Sequence, residues 1–291
     1  MKKISKLTNG KHLDEIINRV VKKTINGIIK EGIDFDKNTM KVWFTPDKEE
    51  YVDTSLQNNP TLDKELIPNV NVWSLFKRKK GEKRDDGNPL IYALKGEKGW
   101  EFRSEEDYNA IENQIHLIAQ KFANIYPIGV TIIIPSGNDL NRRIAEIVMS
   151  KSQNAHLIVG AIAKLSVEEV DEIVLKKDSQ FRKYYGERFN DAYAQLEEYF
   201  DDMDLYRNGM FSRHLIKDGE MRNVLTNTLK VSDSRIARKS KFINGQNILI
   251  IDDTISRGQS IIEACKVMNE SYAPKSITVL TLLSRIENSQ L

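Results

Sequence analysis

Cysteine is almost absent from this chain of 291 residues, in which Cys265 is the single example. One thiol excludes an intrachain disulfide framework and a zinc site built from several cysteines, so we expect a protein of the reducing cytoplasm. We interpret Cys265 as a small buried apolar residue. Histidine is also scarce, and the ligand-like spacing with acidic residues is missing around His116, His156 and His214. The sequence therefore predicts no metal site made by protein side chains alone.

An excess of charge of either sign is missing too. The 44 basic and 42 acidic residues leave a formal charge of +2, so no overall field favours nucleic acid or a membrane surface as a partner. No apolar run approaches the ~18 residues of a membrane span, and the basic N-terminus lacks the apolar segment of a signal peptide. The composition, with 40% hydrophobic residues, predicts a globular protein with a substantial core.

Residues 1–103 read as an irregular α+β region. Apolar residues at helical spacing predict a helix over 12–31, ended by Gly32. Short apolar stretches separated by Pro, Gly and charges then predict short strands, namely MKVWF (40–44), NVWSLF (71–76), LIYAL (90–94) and WEF (100–102). The charged run KRKKGEKRDDGN (77–88) predicts an exposed hairpin tip or loop, with phosphate binding as the alternative.

Residues 104–291 have a more regular pattern. Ser104 and Asp107 predict a helix start, and the helix continues to Pro127. Helix, strand, helix, strand, insertion, strand, helix and strand then follow, which predicts an α/β, Rossmann-like domain whose parallel sheet is covered on both faces. The predicted strands are GVTIII (129–134), HLIVGAIAK (156–164), NILIID (247–252) and SITVLTLL (276–283). The insertion, about 166–230, has aromatic residues three or four apart, which predicts a long amphipathic helix that packs as core.

The stretch ILIIDDTISRGQS, residues 248–260, is the most informative part of the chain. Four aliphatic residues lead into Asp252 and Asp253, at the end of a strand where parallel sheets bind ligands. The following turn has hydroxyl residues, and Gly258 permits close approach of the backbone before the next helix. The first amides of a helix are unpaired and attract anions. Ribose 5-phosphate would suit both the turn and the acid pair, because the turn could bind its phosphate and the two aspartates could bind its hydroxyls.

Three other interpretations share part of this pattern. A response-regulator receiver has an acidic pair near its start, but only 38 residues follow Asp253 here. A Walker B strand needs a phosphate loop of the G-x-x-x-x-G-K-[ST] type, which this sequence does not contain. Helix capping by Asp253 or Thr254 remains as the structural alternative, although capping accounts for one polar residue and not for two acids followed by a Thr/Ser/Gly turn.

The same stretch resembles the motif that binds 5-phosphoribosyl 1-diphosphate (PRPP) in type I phosphoribosyltransferases. The resemblance covers residues 104–291 by element order and does not extend to residues 1–103. It implies a phosphoribosyltransferase-like core with Asp252 and Asp253 as catalytic residues. It also implies that the substrate is bound by Thr254, Ile255, Ser256, Arg257, Gly258, Gln259 and Ser260.

A second loop of that family holds pyrophosphate, and the matching positions are Ser136, Gly137 and Asn138, with Lys164 at the end of the next strand. The loop lacks the basic side chain that many members carry, for which Arg142 and Arg143 could compensate. Further positive charge precedes the motif strand, at Arg235, Arg238 and Lys239, for which a solvated helix face is the alternative. The insertion takes the place of the family's mobile loop, and its length favours a fixed cap as the alternative.

The implied reaction transfers ribose 5-phosphate from PRPP to a nitrogen nucleophile, usually a base, with release of pyrophosphate. Mg²⁺ would be bound with the substrate diphosphate. The resemblance also implies a nucleotide or PRPP as ligand, and dimers are common in the family. No motif identifies the acceptor base, whose recognition we assign to a hood formed by residues 39–103 or by the insertion. The alternative function is a sensor of PRPP or nucleotide that regulates a partner without turnover.

Overall fold

The structure, a computed structural model, describes residues 30–63, 66–79, 87–152, 155–207, 209–232, 242–255 and 258–284. The helix predicted over residues 12–31 lies outside these ranges apart from Lys30 and Glu31, which are not helical. Within the described part of the chain, no helix is long and apolar enough to cross a membrane.

The described strands and helices follow the chain in an α/β order. The strands are β1 (Gly32–Asp36), β2 (Lys41–Thr45), β3 (Val52–Asp53), β4 (Thr61–Asp63), β5 (Asn71–Arg78), β6 (Glu101–Phe102), β7 (Val130–Ile133), β8 (His156–Ile158), β9 (Ile162–Lys164), β10 (Leu229–Val231), β11 (Asn247–Thr254) and β12 (Ser276–Leu283). The helices are α1 (Asn88–Lys95), α2 (Glu105–Ile125), α3 (Leu140–Ser150), α4 (Val167–Leu175), α5 (Gln180–Tyr185), α6 (Phe189–Arg207), α7 (Gly219–Val224) and α8 (Gln259–Ser271). Short 3-10 turns lie at Gly186–Arg188 and Arg213–Leu215.

A parallel sheet forms the centre of the molecule, as the order of elements predicts. Its strands lie in the order β5-β12-β11-β7-β8, and each neighbouring pair is parallel. Along β11, Leu249 and Ile251 belong to the same apolar cluster as α2 and α3, whereas Ile248 and Ile250 belong to the cluster that contains α8. Because successive side chains of a strand point to opposite faces, a strand covered on both faces needs the continuous apolar run seen here.

The described strands before residue 103 extend this sheet. Strands β6, β2, β1 and β3 continue it beyond β5, and β4 also pairs with β5. In this wing β1 is antiparallel to β2 and to β3, and β3 is antiparallel to β5. The strands predicted at 40–44, 71–76 and 100–102 are therefore present. Since β5 pairs with β12 over Asn71–Phe76, the two predicted parts of the chain share one sheet.

The strand predicted for LIYAL (90–94) is wrong, because this segment is part of helix α1. Pro89 lies in the first turn, and Gly96 follows the last residue with a left-handed φ of 65°. Proline just inside the start and glycine just past the end are typical helix boundaries. The short apolar run by itself does not separate a strand from a buried helix face, which is why the pattern misleads here.

Two further boundaries differ from the prediction. The single strand predicted for HLIVGAIAK is interrupted at Val159 and Gly160, the latter with a φ of 75°, so β8 ends in the central sheet and β9 pairs with β10. The charged run at 77–88 is not wholly an exposed loop, because Lys77 and Arg78 belong to β5 and Arg78 is only 4% exposed. Residues 80–86 lie outside the described ranges.

The insertion has an apolar core of its own, which confirms that its aromatic stripe packs as core. The helix predicted through the stripe is divided at Gly186, where a φ of 52° separates α5 from α6. A separate cluster of buried side chains includes Phe181, Tyr185, Phe189, Leu196, Phe200 and Met203.

A buried carboxylate attaches the insertion to α8. Glu263, 2% exposed, accepts hydrogen bonds from Arg213 Nη2 at 2.6 Å, from the Thr228 amide at 2.8 Å and from the Thr228 hydroxyl at 2.9 Å. Its Oε1 also accepts from Gln259 Nε2 at 3.0 Å, one turn earlier on the same helix. Both oxygens of the Glu263 carboxylate therefore have hydrogen-bond partners. The ion pair between Glu263 and Arg213 joins the insertion to α8.

We predict that Glu263→Ala lowers the free energy of unfolding by about 3 kcal/mol, because the Arg213 guanidinium then stays buried without its counter-charge. Glu270→Ala, on the exposed face of the same helix, is the matched control and is expected to change it by less than about 0.5 kcal/mol. Urea unfolding of both variants measures the difference. Equal effects of the two substitutions would contradict the role given to the buried pair.

Candidate ligand-binding site

The central sheet has a topological switch point between β7 and β11. From β7 the chain proceeds through α3 to β8 on one side, and from β11 it proceeds through α8 to β12 on the other. In open α/β sheets the crevice at such a point, outside the carboxyl ends of the strands, is where ligands bind. The loop after β7, residues 134–139, and the described residues that follow β11, Ile255 and Gly258, lie at those ends. The described candidates Ser136, Gly137 and Asn138 therefore follow one strand of the switch point, and Ile255 and Gly258 follow its neighbour.

The two aspartates occupy the carboxyl end of β11, and both are half-buried. Asp252 Oδ1 accepts a hydrogen bond from the Asp253 amide at 2.9 Å and a longer one from Asn141 Nδ2 at 3.3 Å. Asn141 is fully buried and also donates to the Ile134 carbonyl at 3.2 Å. This side chain connects the acid pair to the loop after β7. Because Asn141 is one of several polar residues on the amphipathic helix α3, its position in the sequence gives no signal for this role.

The surroundings of Asp252 disfavour its charged form. Burial raises the pKa of Asp252, and the neighbouring Asp253 carboxylate raises it further, to about 7. The Asp253 amide, the Asn141 amide group and the Lys95 ammonium act in the opposite direction and lower the pKa. Asp252 therefore changes its charge in the neutral pH range, where it accepts or releases a proton readily.

Asp253 forms an ion pair that the sequence pattern does not indicate. Its Oδ2 lies 2.5 Å from Lys95 Nζ, and the two side chains are only 15% and 13% exposed. Lys95 is the last residue of α1. Two residues later, Glu97 Oε1 accepts a hydrogen bond from Asn138 Nδ2 at 3.2 Å. The C-terminal end of α1 thus contacts the end of β11, and the residues just after it contact the loop after β7. The Pro89 and Gly96 boundaries are the signals that could have located this helix.

The first residue of the loop after β11, Ile255, is held by hydrogen bonds of its main chain. Ile255 is fully buried, its amide donates to the Leu283 carbonyl at 3.1 Å, and its own carbonyl accepts from Arg78 Nη2 at 2.8 Å. Arg78 Nη1 also donates to Asn88 Oδ1 at 2.8 Å. Ile255 therefore contributes main chain rather than side chain to the loop. Ser256 and Arg257 lie outside the described residues.

Gly258 starts helix α8 in a conformation that excludes other residues. Its φ is 75°, and a Cβ at this position would lie 2.7 Å from Leu66 Cδ1, well inside contact distance. No side chain among the described residues caps this helix. The first turn-closing bond runs from the Ile262 amide to the Gly258 carbonyl at 2.9 Å, so the preceding amides, at Gln259 and Ser260 among others, face the loop without intrahelical partners. Uncapped amides at a helix N-terminus favour an anion.

The loop after β7 carries Ser136, Gly137 and Asn138 at the opposite side of the crevice, where Asn138 Oδ1 accepts from the Leu140 amide at 3.1 Å. The two arginines that follow have other partners. Arg142 Nε donates to Glu146 at 2.9 Å on the exposed face of α3, and Arg143 Nη2 donates to the Tyr108 hydroxyl at 2.8 Å. Neither guanidinium is directed by these bonds toward the loop.

The remaining candidates lie elsewhere or outside the described part. Lys164 is the last residue of β9 and stands opposite Leu229 of β10, outside the central sheet, and its role at a diphosphate stays a prediction. Arg235, Arg238 and Lys239 are not among the described residues. Cys265 is 3% exposed, and burial raises its pKa to about 12, which confirms a buried apolar role for this thiol.

We predict that Asp252→Asn stabilises the protein at about pH 8 and has little effect at about pH 4. A carboxyl whose folded pKa of about 7 exceeds its unfolded value of 3.8 contributes stability below the unfolded pKa, and this contribution is lost as pH rises through the folded pKa. The amide removes the buried charge, so we expect the variant to gain on the order of 1 kcal/mol at the higher pH. Urea unfolding at both pH values measures this, and a gain that is independent of pH would contradict it.

No model of a known protein family matches this chain, and comparison with curated proteins finds no similar sequence. The resemblance of residues 248–260 to a PRPP-binding motif therefore stays a prediction. Any function must be inferred from the residues around the crevice and from their geometry.

Proposed function

We propose that this protein is a phosphoribosyltransferase-like enzyme that binds PRPP and transfers its ribose 5-phosphate to a nitrogen nucleophile, a nucleobase by the resemblance. One observation carries the proposal: adjacent carboxylates lie near the end of β11 at the switch point, shortly before helix α8, whose N-terminus is not capped by any side chain among the described residues. This combination offers acceptors for hydroxyl groups and donors for a phosphate within one short segment.

In the proposed complex the 5-phosphate accepts hydrogen bonds from the amides at the start of α8. The 2′- and 3′-hydroxyls of the ribose donate to Asp252 and Asp253. The diphosphate on C1 then extends toward Ser136, Gly137 and Asn138 in the loop after β7. The contact of Asn141 with both Asp252 and Ile134 supports this arrangement, because it holds the two loops on either side of one crevice.

The proposed reaction is a substitution at C1 of the ribose. The bond between C1 and the diphosphate oxygen breaks, and its electron pair leaves with pyrophosphate. The lone pair of the acceptor nitrogen forms the new bond to C1, and the nitrogen releases its proton to solvent or to the departing pyrophosphate. Positive charge grows on the ring as the first bond breaks, so the carboxylates near the ribose stabilise the transition state.

Magnesium fits this site as an ion that accompanies the substrate. Among the described residues no group of three or more His, Cys, Asp or Glu side chains could hold a metal alone. Mg²⁺ prefers phosphate oxygens and water to a cage made only by protein, so the diphosphate with Asp252 or Asp253 nearby provides suitable ligands. When bound, the ion would neutralise charge on the leaving diphosphate.

A sensor that binds PRPP or nucleotide without turnover is the second proposal. It is favoured by the attachment of the insertion to α8 through Glu263, Arg213 and Thr228. Enzymes that exclude water from a reacting centre commonly close a lid over it. An insertion anchored by a buried ion pair is better suited to a fixed cover than to such a lid.

We predict that Asp252→Asn with Asp253→Asn abolishes pyrophosphate release from PRPP and leaves the fold intact. Loss of both carboxylates removes the acceptors for the ribose hydroxyls and the stabilisation of the ring charge. Pyrophosphate release with Mg²⁺ across a panel of bases measures turnover, and circular dichroism measures folding. Asp201→Asn with Asp202→Asn, an exposed aspartate pair on α6, is the matched control and is expected to retain full activity.

The same assay separates the two proposals. Wild-type protein that binds PRPP and releases pyrophosphate with some base is an enzyme, whereas binding without release from any base supports the sensor. Unchanged rates in the Asp252 and Asp253 double variant would remove the enzyme assignment. A wild-type protein that binds neither PRPP nor a nucleotide would remove both proposals.

A further inference from the structure

A diphosphate bound at the loop after β7 lacks an obvious counter-charge. Pyrophosphate oxygens carry several negative charges and need cationic donors to be bound tightly. The loop itself, Ile134–Asp139, contains no basic residue. Arg142 and Arg143, which follow it on α3, are paired with Glu146 and with Tyr108 and Glu112. The charge must therefore come from another element of the fold or from the metal alone.

Helix α1 brings one lysine to the right place. Lys95 Nζ contacts Asp253 Oδ2 at 2.5 Å, and Glu97 of the same turn accepts a hydrogen bond from Asn138 in the diphosphate loop. The ammonium thus lies at the carboxylate proposed to bind the ribose hydroxyls, and a residue two positions further along the chain contacts the loop proposed for the diphosphate. Lys95 keeps 13% of its side-chain surface exposed.

We propose that Lys95 is a diphosphate-binding residue that exchanges Asp253 for the ligand when PRPP binds. This inference rests on the proposed function. The ribose hydroxyls replace the ammonium as donors to Asp253, and the ammonium turns to the nearest diphosphate oxygens. A lysine suits the exchange because its charge is a compact point on a flexible stem, whereas a guanidinium pairs in a fixed, planar geometry.

The exchange leaves no buried charge without a partner. Breaking a buried ion pair is costly when one charge remains uncompensated. Here both groups gain a new partner in the same step, since Asp253 receives hydroxyl donors and Lys95 receives anionic oxygens. In the free protein the pair keeps Lys95 in place and its side chain ordered, so less conformational entropy is lost when the ligand arrives.

A purely structural role for Lys95 makes a different prediction from a ligand-binding role. If Lys95 serves only to neutralise Asp253, its removal matters only while Asp253 is charged. If it contacts the diphosphate, its removal weakens pyrophosphate binding whether or not Asp253 is charged. Asp253→Asn therefore provides the background in which the two roles separate, and it also avoids an unpaired buried carboxylate when Lys95 is replaced.

The test measures binding of inorganic pyrophosphate with Mg²⁺, of ribose 5-phosphate and of PRPP by calorimetry. Lys95→Met is compared with Lys98→Met, which removes the same charge nearby from an exposed side chain over the Tyr92 ring. We expect Lys95→Met to weaken pyrophosphate and PRPP binding at least about tenfold in both the wild-type and Asp253→Asn backgrounds, which is the loss of one charge-assisted contact. In the Asp253→Asn background, ribose 5-phosphate affinity should change less than about twofold, because this ligand lacks the diphosphate.

Three results would overturn the inference: no effect of Lys95→Met in the Asp253→Asn background, an equal effect of Lys98→Met, or an equal loss of ribose 5-phosphate affinity in that background. The first result would mean that Lys95 serves only the ion pair with Asp253. The second would mean that any positive charge in this region favours the ligand equally, and the third that Lys95 acts at the sugar-phosphate end of the site. The proposed function fails separately, if the wild-type protein binds neither PRPP nor ribose 5-phosphate.

Discussion

The arrangement at the end of β11 depends on one electrostatic constraint: two adjacent carboxylates must be tolerated where a strand leaves the interior. Four buried aliphatic residues precede them, so the acids lie at the border between core and crevice. One of them forms an ion pair with the Lys95 ammonium, which also lowers the pKa of the other. Asp253 is paired with Lys95, while burial and its neighbour raise the pKa of Asp252. Two identical side chains thereby acquire different properties from their surroundings.

The elements around the crevice act as supports that come from distant parts of the chain. Arg78 of β5 donates to the Ile255 carbonyl, Lys95 at the end of α1 contacts Asp253 of β11, and Glu97 contacts Asn138 in the loop after β7. On the other face, Glu263 connects the insertion to the first turn of α8. Each support uses a buried or half-buried charged group whose partner is costly to remove.

The parts of the fold that were predicted correctly are those with strong local signals. The continuous apolar runs of β7, β11 and β12 show that these strands are buried on both faces, and helix α2 follows from its capping residue and spacing. The helical insertion and its aromatic core follow from the same periodicity. The segment LIYAL was misread because a run of five apolar residues fits either structure. The break at Gly160 was missed because one glycine inside an apolar run does not require a turn.

At the candidate site, the sequence determines the features that depend on neighbouring residues, whereas the tertiary structure determines the contacts between distant residues. Residues 248–260 by themselves determine a strand, two acids and a glycine-containing helix start, because all of these are set by neighbours within a few positions along the chain. Only the tertiary structure decided that β5 joins the parallel sheet, that Asn141 and Lys95 meet the acid pair, and that Glu263 anchors the insertion. These contacts join residues that are up to about two hundred positions apart, and no periodicity in a single sequence records which distant side chains will share a crevice.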